Sequence, residues 1–231
     1  MQNKSKKPSF ILVGASRCAT NWISKCLGEH PEIYVYPHEL MFFYHPSGKK
    51  SNYELEGIQG YYKRFERARK RVIGEISPGY LIDTKVASTI AKHFPEMKIV
   101  ISLRNPVKRY ASEKTYFKNF QYLEVSEEEA INGSLYYDKI MNYFKVFPKK
   151  NIKIIFVEDI KKNPKRFIQD LYKFLEVEIK FIPDSLYEKS NEVSKAKYPF
   201  LEKYRQGISK IVEKLKEKKQ VKIIKILIWT N

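Results

Sequence analysis

Two short segments about ninety residues apart hold the side chains able to do chemistry on a charged ligand. In residues 10–22 (FILVGASRCATNW) an apolar run ends at Gly14 and a loop of small residues carries Arg17. Thr20 and Asn21 then open a pattern with apolar residues at Trp22, Ile23, Cys26 and Leu27. That order spells strand, anion loop and helix. A helix start presents unpaired N–H groups and the positive end of the peptide dipole, so small residues with one Arg suit a phosphate or sulfate there. In residues 99–112 (IVISLRNPVKRYAS) a second buried strand delivers Arg104 to its carboxyl end. Pro106 starts a helix on which Ser112 follows the Arg by eight residues. An Arg and a hydroxyl can share a second phosphate, and the two segments together read as the jaws of a site for a doubly phosphorylated nucleotide.

Positioning these jaws requires an alternating α/β chain. Strands are expected at 9–14, 33–35, 71–75, 98–103 and 152–157, and helices at 20–29, 55–67, 84–94, 106–119, 134–146, 163–176 and 198–217. Val86, Ile90 and Phe94 recur every four residues, and Leu201, Tyr204, Ile208, Ile211 and Leu215 fall on one stripe. Strands of continuous Ile and Val separated by helices imply a parallel sheet covered on both faces. Ligands in such sheets bind at the carboxyl ends of the strands, where Arg17 and Arg104 are expected. The loop after Gly14 lacks the second glycine and the G-K-[ST] ending of a Walker A loop, and no strand ends in an obvious magnesium-binding Asp, which speaks against a P-loop kinase.

The 231 residues suffice for a core, and 43% hydrophobic with 14% aromatic content argues against disorder. With no repeat or linker visible, residues 1–231 are read as a single domain, with 1–8 expected to be disordered and 218–231 a basic C-terminal segment. Residues 9–14 are too short for a signal peptide or membrane span, and the run from Ile223 to Trp229 is broken by Lys225, so a soluble cytoplasmic protein is expected. Cys18 and Cys26 make no disulfide framework and are expected to be free thiols. The net charge is +18. Its densest block, Lys210, Lys214, Lys216, Lys218, Lys219, Lys222 and Lys225, is read either as a solvated helix face or as a field that gathers anionic ligands, an anionic glycan or membrane surface among them. None of the recognised nucleic-acid modules is evident, so nucleic acid is not an expected partner. Nothing in the sequence sets the oligomeric state.

The spacing of the motifs resembles one family. Residues 17–22 (RCATNW) are similar to the K/R-S-G-T-T-W loop of sulfotransferases that use 3′-phosphoadenosine 5′-phosphosulfate (PAPS), and Arg104-Asn-Pro with Ser112 is similar to their R-[DN]-P-x5-S motif for the 3′-phosphate. Residues 74–81 (GEISPGYL) resemble the G-E-K-[ST]-P-x-Y segment of the heparan-sulfate branch. Residues 39–43 (ELMFF) and 57–61 (GIQGY) resemble that branch's E-x-H-F-F and G-x-x-W-Y, with Gly60 in place of the Trp. The four segments fall in family order, and weaker matches continue through Gly133 to Tyr143 and at Glu158-Asp159.

The resemblance implies a P-loop-like three-layer fold around a central parallel sheet, and in-line sulfuryl transfer from PAPS to a hydroxyl, leaving adenosine 3′,5′-bisphosphate. Glu39 matches the general base of glycan sulfotransferases, with His38 and His45 as nearby rivals. Arg17 would stabilise the leaving phosphate, and Cys18, Ala19, Thr20 and Asn21 would line the phosphosulfate. Trp22 matches a residue that packs on adenine, though on the apolar face of its helix it can equally be core. Arg104 and Ser112 would bind the 3′-phosphate, and Lys195 and Lys197 stand where relatives place basic residues over the nucleotide. Sulfuryl transfer moves less negative charge than phosphoryl transfer, so no metal is expected. Ala19 replaces a family glycine, Ile76 the family Lys and Met41 the family His. The expected acceptor is a hydroxyl on a glycan or glycolipid, with small alcohols, phenols and peptidyl tyrosine open. A non-catalytic nucleotide or polyanion binder that keeps the fold is the alternative.

Overall fold

The Ile- and Val-rich runs do form strands in the computed structural model of the protein, which describes residues 7–119, 125–188, 207 and 210–214. In chain order the elements are β1 (Phe10–Gly14), α1 (Thr20–Glu29), β2 (Ile33–Val35), α2 (Asn52–Lys63), β3 (Val72–Ile76), a 3₁₀ turn (Pro78–Leu81), α3 (Val86–His93) and β4 (Lys98–Leu103). They continue with α4 (Pro106–Asn119), α5 (Glu127–Gly133), α6 (Tyr137–Phe144), a 3₁₀ turn (Lys149–Asn151), β5 (Ile152–Phe156), α7 (Val157–Lys162), α8 (Pro164–Leu175) and a last 3₁₀ turn (Asp184–Tyr187). The described residues fall into two compact units. One draws on the chain up to Leu103 and on Ile140–Glu188, the other on Arg104–Lys139 and on residues after Glu188.

The first unit is built on a five-stranded sheet of order β2-β3-β1-β4-β5, every neighbouring pair parallel. β1 lies at its centre, Phe10 opposite Gly74 on one side and Lys98 on the other, and all five of its residues are buried. Strands buried on both faces read as continuous apolar runs, so periodicity alone located them. One core cluster joins Phe10, Leu12 and Val100 of the sheet to Ile23, Cys26 and Leu27 of α1 and to Ile168, Leu171 and Tyr172 of α8. In α8, Pro164 occupies the first turn and the Asn163 side chain accepts from Arg166 N–H at 2.9 Å, while Phe167, Ile168, Leu171, Tyr172 and Leu175 share the buried stripe. Cys18 and Cys26 are buried free thiols, and loss of water pushes the Cys26 thiol up to about 12.

In the second unit, Asn105 Oδ1 accepts from the N–H groups of Val107 (3.1 Å) and Lys108 (3.2 Å), and Pro106 supplies the first helical residue, so the Asn-Pro pair writes the start of α4. Arg109 is 1% exposed and reaches Ala130 O, Ser134 Oγ and the Glu113 carboxylate, the last at 3.2 Å. Gly133 makes room for it, since a Cβ there would stand 2.6 Å from the guanidinium. Tyr110, Ala130, Ile131, Leu135 and Ile211 form this unit's own cluster.

Boundaries differ from expectation where caps decide them. α2 begins at Asn52 because Ser51 and Glu54 form a capping box, and ends at Lys63. α5 and α7 were not expected. The first is seven residues started by a Ser126–Glu129 capping box, and the second is six residues with none buried, so neither leaves an apolar period to read. Of the helix expected at 198–217, Gly207 and residues 210–214 are helical and the rest lies outside the described residues, as do Lys195, Lys197, residues 1–6 and the basic segment 218–231. Among the described residues no helix is long and apolar enough to cross a membrane.

Candidate active site

β1 runs out at Gly14, whose φ of 142° disfavours any side chain. A Cβ at this position would also stand 2.6 Å from the Pro78 carbonyl and 2.7 Å from Leu81 Cβ, so the crossing of these two turns requires glycine. The loop that follows is tied to β4 by one residue. Ser102 accepts from Ala15 N–H through its carbonyl and donates through its buried hydroxyl to Cys18 O, both at 2.7 Å. Between these ties Arg17 (φ 65°) and Ala19 (φ 58°) are left-handed, and Ala19 becomes the N-cap of α1. The N-cap residue Ala19 offers no side-chain cap to α1, and no acidic residue lies in the first turn of the helix. Backbone donors, the helix dipole and the Arg17 charge therefore share one small loop.

Glu39 lies between β2 and α2. The residue as a whole is exposed, but its carboxyl end sits among enough protein to raise its pKa above the ordinary carboxylate value, and the Arg17 charge pulls it partly back. Arg17 and Glu39 are thus within electrostatic reach of one another. Of the rival bases, His38 is exposed, and His45 accepts from Ser47 N–H at 3.2 Å through Nδ1, closing a local turn.

The segment after Glu39 is held from the turn that follows β3. Met41 N–H donates to Ser77 Oγ (3.0 Å) and Phe43 N–H to Tyr80 Oη (3.3 Å). Phe42 and Phe43 are buried and meet the Tyr61 ring at 5.3 and 4.7 Å between centroids, as packing residues do. Ile76, at the family Lys position, is 4% exposed and belongs to the core cluster, so an apolar side chain is built in where that family carries charge.

Thr20 and Asn21 occupy the first turn of α1, the former buried and the latter exposed. Trp22 is 6% exposed, packs on Phe167 at 5.9 Å and donates its indole N–H to Ser185 O at 3.1 Å. Of the two roles weighed for it, this geometry is that of a core residue. In the second unit Arg104 is half-buried with its carbonyl accepting from Tyr136 Oη at 2.9 Å, and Ser112 on α4 is 9% exposed.

Sequence reasoning placed Glu75 in the 74–81 motif but gave it no role. It is fully buried on β3 and accepts hydrogen bonds from Tyr61, Ser77 and Tyr80; burial pushes its carboxyl up to about 7, and the three hydroxyls pull it back. Its signal was a carboxyl inside the apolar run VIGEI, where a buried Glu is rare without partners. Among the described residues no group of three or more His, Cys, Asp or Glu is arranged to hold a metal ion.

A parallel five-stranded sheet with a loop of small residues after its central strand and a helix start beyond it is the α/β architecture that receives anionic ligands at the carboxyl ends of its strands. The family model for the sulfotransferase domain matches residues 7–226, and the chain belongs to that family, the enzymes of sulfuryl transfer. It is 25% identical over 201 residues to the heparan sulfate glucosamine 3-O-sulfotransferase 5 of Mus musculus, a match covering 78% of this chain and 56% of the relative. It is 26% identical over 131 residues to the membrane-associated sulfotransferase kil1 of Dictyostelium discoideum, covering 55% of this chain and 26% of that protein. The chain thus spans between about a quarter and a little over half of the length of these curated relatives. Among solved structures, a sulfotransferase from Alicyclobacillus acidocaldarius superposes with TM-score 0.73 at 26% identity, covering 92% of this chain and 95% of that one. A mouse sulfotransferase complexed with PAP shares the fold at TM-score 0.50 and 18% identity, over 75% of this chain and 60% of that one.

Proposed function

We propose that the protein moves a sulfuryl group from PAPS to a hydroxyl acceptor, of the glycan or glycolipid class, with Glu39 as general base and no metal. The observation that carries this reading is the pairing of Arg17, in a loop that leads into a helix start whose N-cap residue is Ala19, with Glu39, whose raised carboxyl pKa lies within reach of the Arg17 charge. The loop fits a phosphosulfate by its chemistry, since it offers backbone donors, small side chains and one permanent cation. The donor, when bound, supplies an activated sulfuryl group and a bisphosphate leaving group. Glu39 takes the proton of the acceptor hydroxyl, and a base with a raised pKa does so more effectively near neutrality. Arg17 balances the negative charge that grows on the leaving phosphate; a guanidinium holds its proton, so its part is electrostatic. Thr20, Asn21 and the N–H groups beside Cys18 and Ala19 hold the 5′ side, and Arg104 and Ser112 hold the 3′-phosphate. Lys195 and Lys197 are assigned to the nucleotide's outer face. The glycan acceptor is supported by the heparan sulfate relative and by the Glu39–Phe43 segment, and the PAPS donor by the family and by the relative complexed with PAP.

A second reading, a nucleotide or polyanion binder without turnover, is favoured by the burial of Ile76 in the core where the family has a Lys. Titration calorimetry separates the two. The wild type is expected to bind adenosine 3′,5′-bisphosphate in preference to 5′-AMP and magnesium ATP, and to sulfate an oligosaccharide acceptor from PAPS with a rate that rises with pH through the Glu39 titration. Glu39→Gln is expected to keep the bisphosphate affinity and lose turnover by at least about a hundredfold. Equal turnover in that variant removes Glu39 as base; binding without turnover in both proteins leaves the binder.

A further inference from the structure

Glu75 stands within β3 with no exposure to solvent. Its carboxyl is tolerated there because donors replace water: Tyr61 Oη at 2.7 Å and Ser77 Oγ at 2.6 Å, one to each oxygen, and Tyr80 Oη at 3.2 and 3.4 Å from the two. A hydroxyl carries a single proton. Once Ser77 and Tyr80 have donated theirs to Glu75, their oxygens can only accept. Both do so from one segment, Ser77 Oγ from Met41 N–H at 3.0 Å and Tyr80 Oη from Phe43 N–H at 3.3 Å. The ionised carboxylate, the form present above about pH 7, thereby fixes the direction of two hydroxyls, and these fix the backbone two and four residues beyond Glu39.

That backbone needs holding. Met41 has φ 47°, a conformation that a non-glycine residue keeps only under outside constraint. Its thioether lies over Gly79, where an added Cβ would stand 2.3 Å from Met41 Cε, so the segment is clamped against the turn that carries Tyr80. The turn is itself anchored: Ser77 N–H donates to Leu12 O of β1 at 3.0 Å, and Tyr80 O accepts from Tyr143 Oη at 3.1 Å.

We infer that Glu75 is a positioning residue for sulfuryl transfer, which through the hydroxyls of Ser77 and Tyr80 sets the backbone at Met41 and Phe43 and so holds Glu39 in reach of Arg17. The inference rests on the reading of Glu39 as the base. Glu75→Gln keeps the shape of the side chain but turns one acceptor into a donor, so a hydroxyl facing the new NH2 group must turn its proton away, and the array of three hydroxyls on two acceptor oxygens that orients Ser77 and Tyr80 is broken.

The test combines amide hydrogen exchange with kinetics on the full chain. In Glu75→Gln the amides of Met41 or Phe43 are expected to exchange at least about tenfold faster while those of Ile11 and Val13 in β1 keep their protection. The kcat with PAPS is expected to fall by about tenfold or more, with the Kd for adenosine 3′,5′-bisphosphate unchanged within about twofold, as for a misplaced catalytic group. Ser77→Ala, the smaller change, is expected to reproduce the loss at Met41. Wild-type exchange and turnover in Glu75→Gln overturn the inference, and so does a loss of protection that extends through β1 and abolishes bisphosphate binding. Glu39→Gln run alongside separates the two readings. Undiminished turnover in that variant removes the base and this inference with it, whereas lost turnover there with wild-type turnover in Glu75→Gln removes the positioning role alone.

Discussion

Ala19 caps α1 at φ 58° and ψ 23°, a conformation in which a Cβ crowds the following carbonyl and which glycine adopts freely. The substitution of Ala for the family glycine is therefore tolerated at a cost, and Ala19→Val, stiffer at Cβ, is expected to lower stability by on the order of 1–3 kcal/mol in urea unfolding. A mutant as stable as the wild type would show that the loop relaxes out of the left-handed region. Glu75 gives a second expectation, for pH. Its carboxyl titrates near 4.5 when solvated and at about 7 in the fold. Between these values the unfolded chain has released the proton that the native state retains, so the contribution of Glu75 erodes as pH rises, by on the order of 3 kcal/mol in full. The stability of the wild type relative to Glu75→Gln is thus expected to fall from pH 5 to pH 8, and parallel pH curves would contradict it. Arg17 and Glu39 could be singled out in the sequence as candidates because their segments have a fixed order and a chemistry. The role of Glu75 could not be, because the partners that explain it, Tyr61, Ser77 and Tyr80, come together only when α2 and the 78–81 turn pack over β3.

The strands were legible because a parallel sheet buried on both faces writes itself as uninterrupted Ile and Val, whereas short helices with no buried stripe, such as α7, write nothing. Helix starts were legible where a motif or a strong apolar stripe marks them, as at α1, α4 and α8. Asn105-Pro106 fixes the first turn of α4 through two N–H bonds to Asn105 Oδ1, and so fixes where Arg104 leaves β4. Arg104→Ala is expected to reduce the preference for adenosine 3′,5′-bisphosphate over 5′-AMP by at least about tenfold, since a charge-assisted contact to phosphate is worth roughly twice a neutral one. Calorimetry with both nucleotides checks this, and an unchanged ratio removes Arg104 from the 3′-phosphate. α1 depends on the opposite device. With no side-chain cap from its N-cap residue, its first amides have Ala19 before them and Arg17 beside them, which suits an anion better than it suits the isolated helix.

The whole chain carries a net charge of +18, a field that speeds encounter with anionic ligands and weakens as salt is added. The family match runs from residue 7 to 226, across both compact units. One calorimetric unfolding transition, displaced upward as a whole by adenosine 3′,5′-bisphosphate, is the expected outcome; two transitions with only one moved by ligand would divide the chain into independent domains. The first unit is discontinuous: the chain leaves it after Leu103, at the end of β4, and resumes it at Ile140, before β5. Among the described residues β5 pairs only with β4, from Ile99 with Ile152 to Leu103 with Phe156. During synthesis, therefore, the apolar β4 emerges from the ribosome some fifty residues ahead of the strand that covers its free edge, roughly three to ten seconds at ordinary elongation rates. For that interval the nascent protein presents an open strand edge to other chains, and its yield in the cell depends on what shields β4 until β5 arrives.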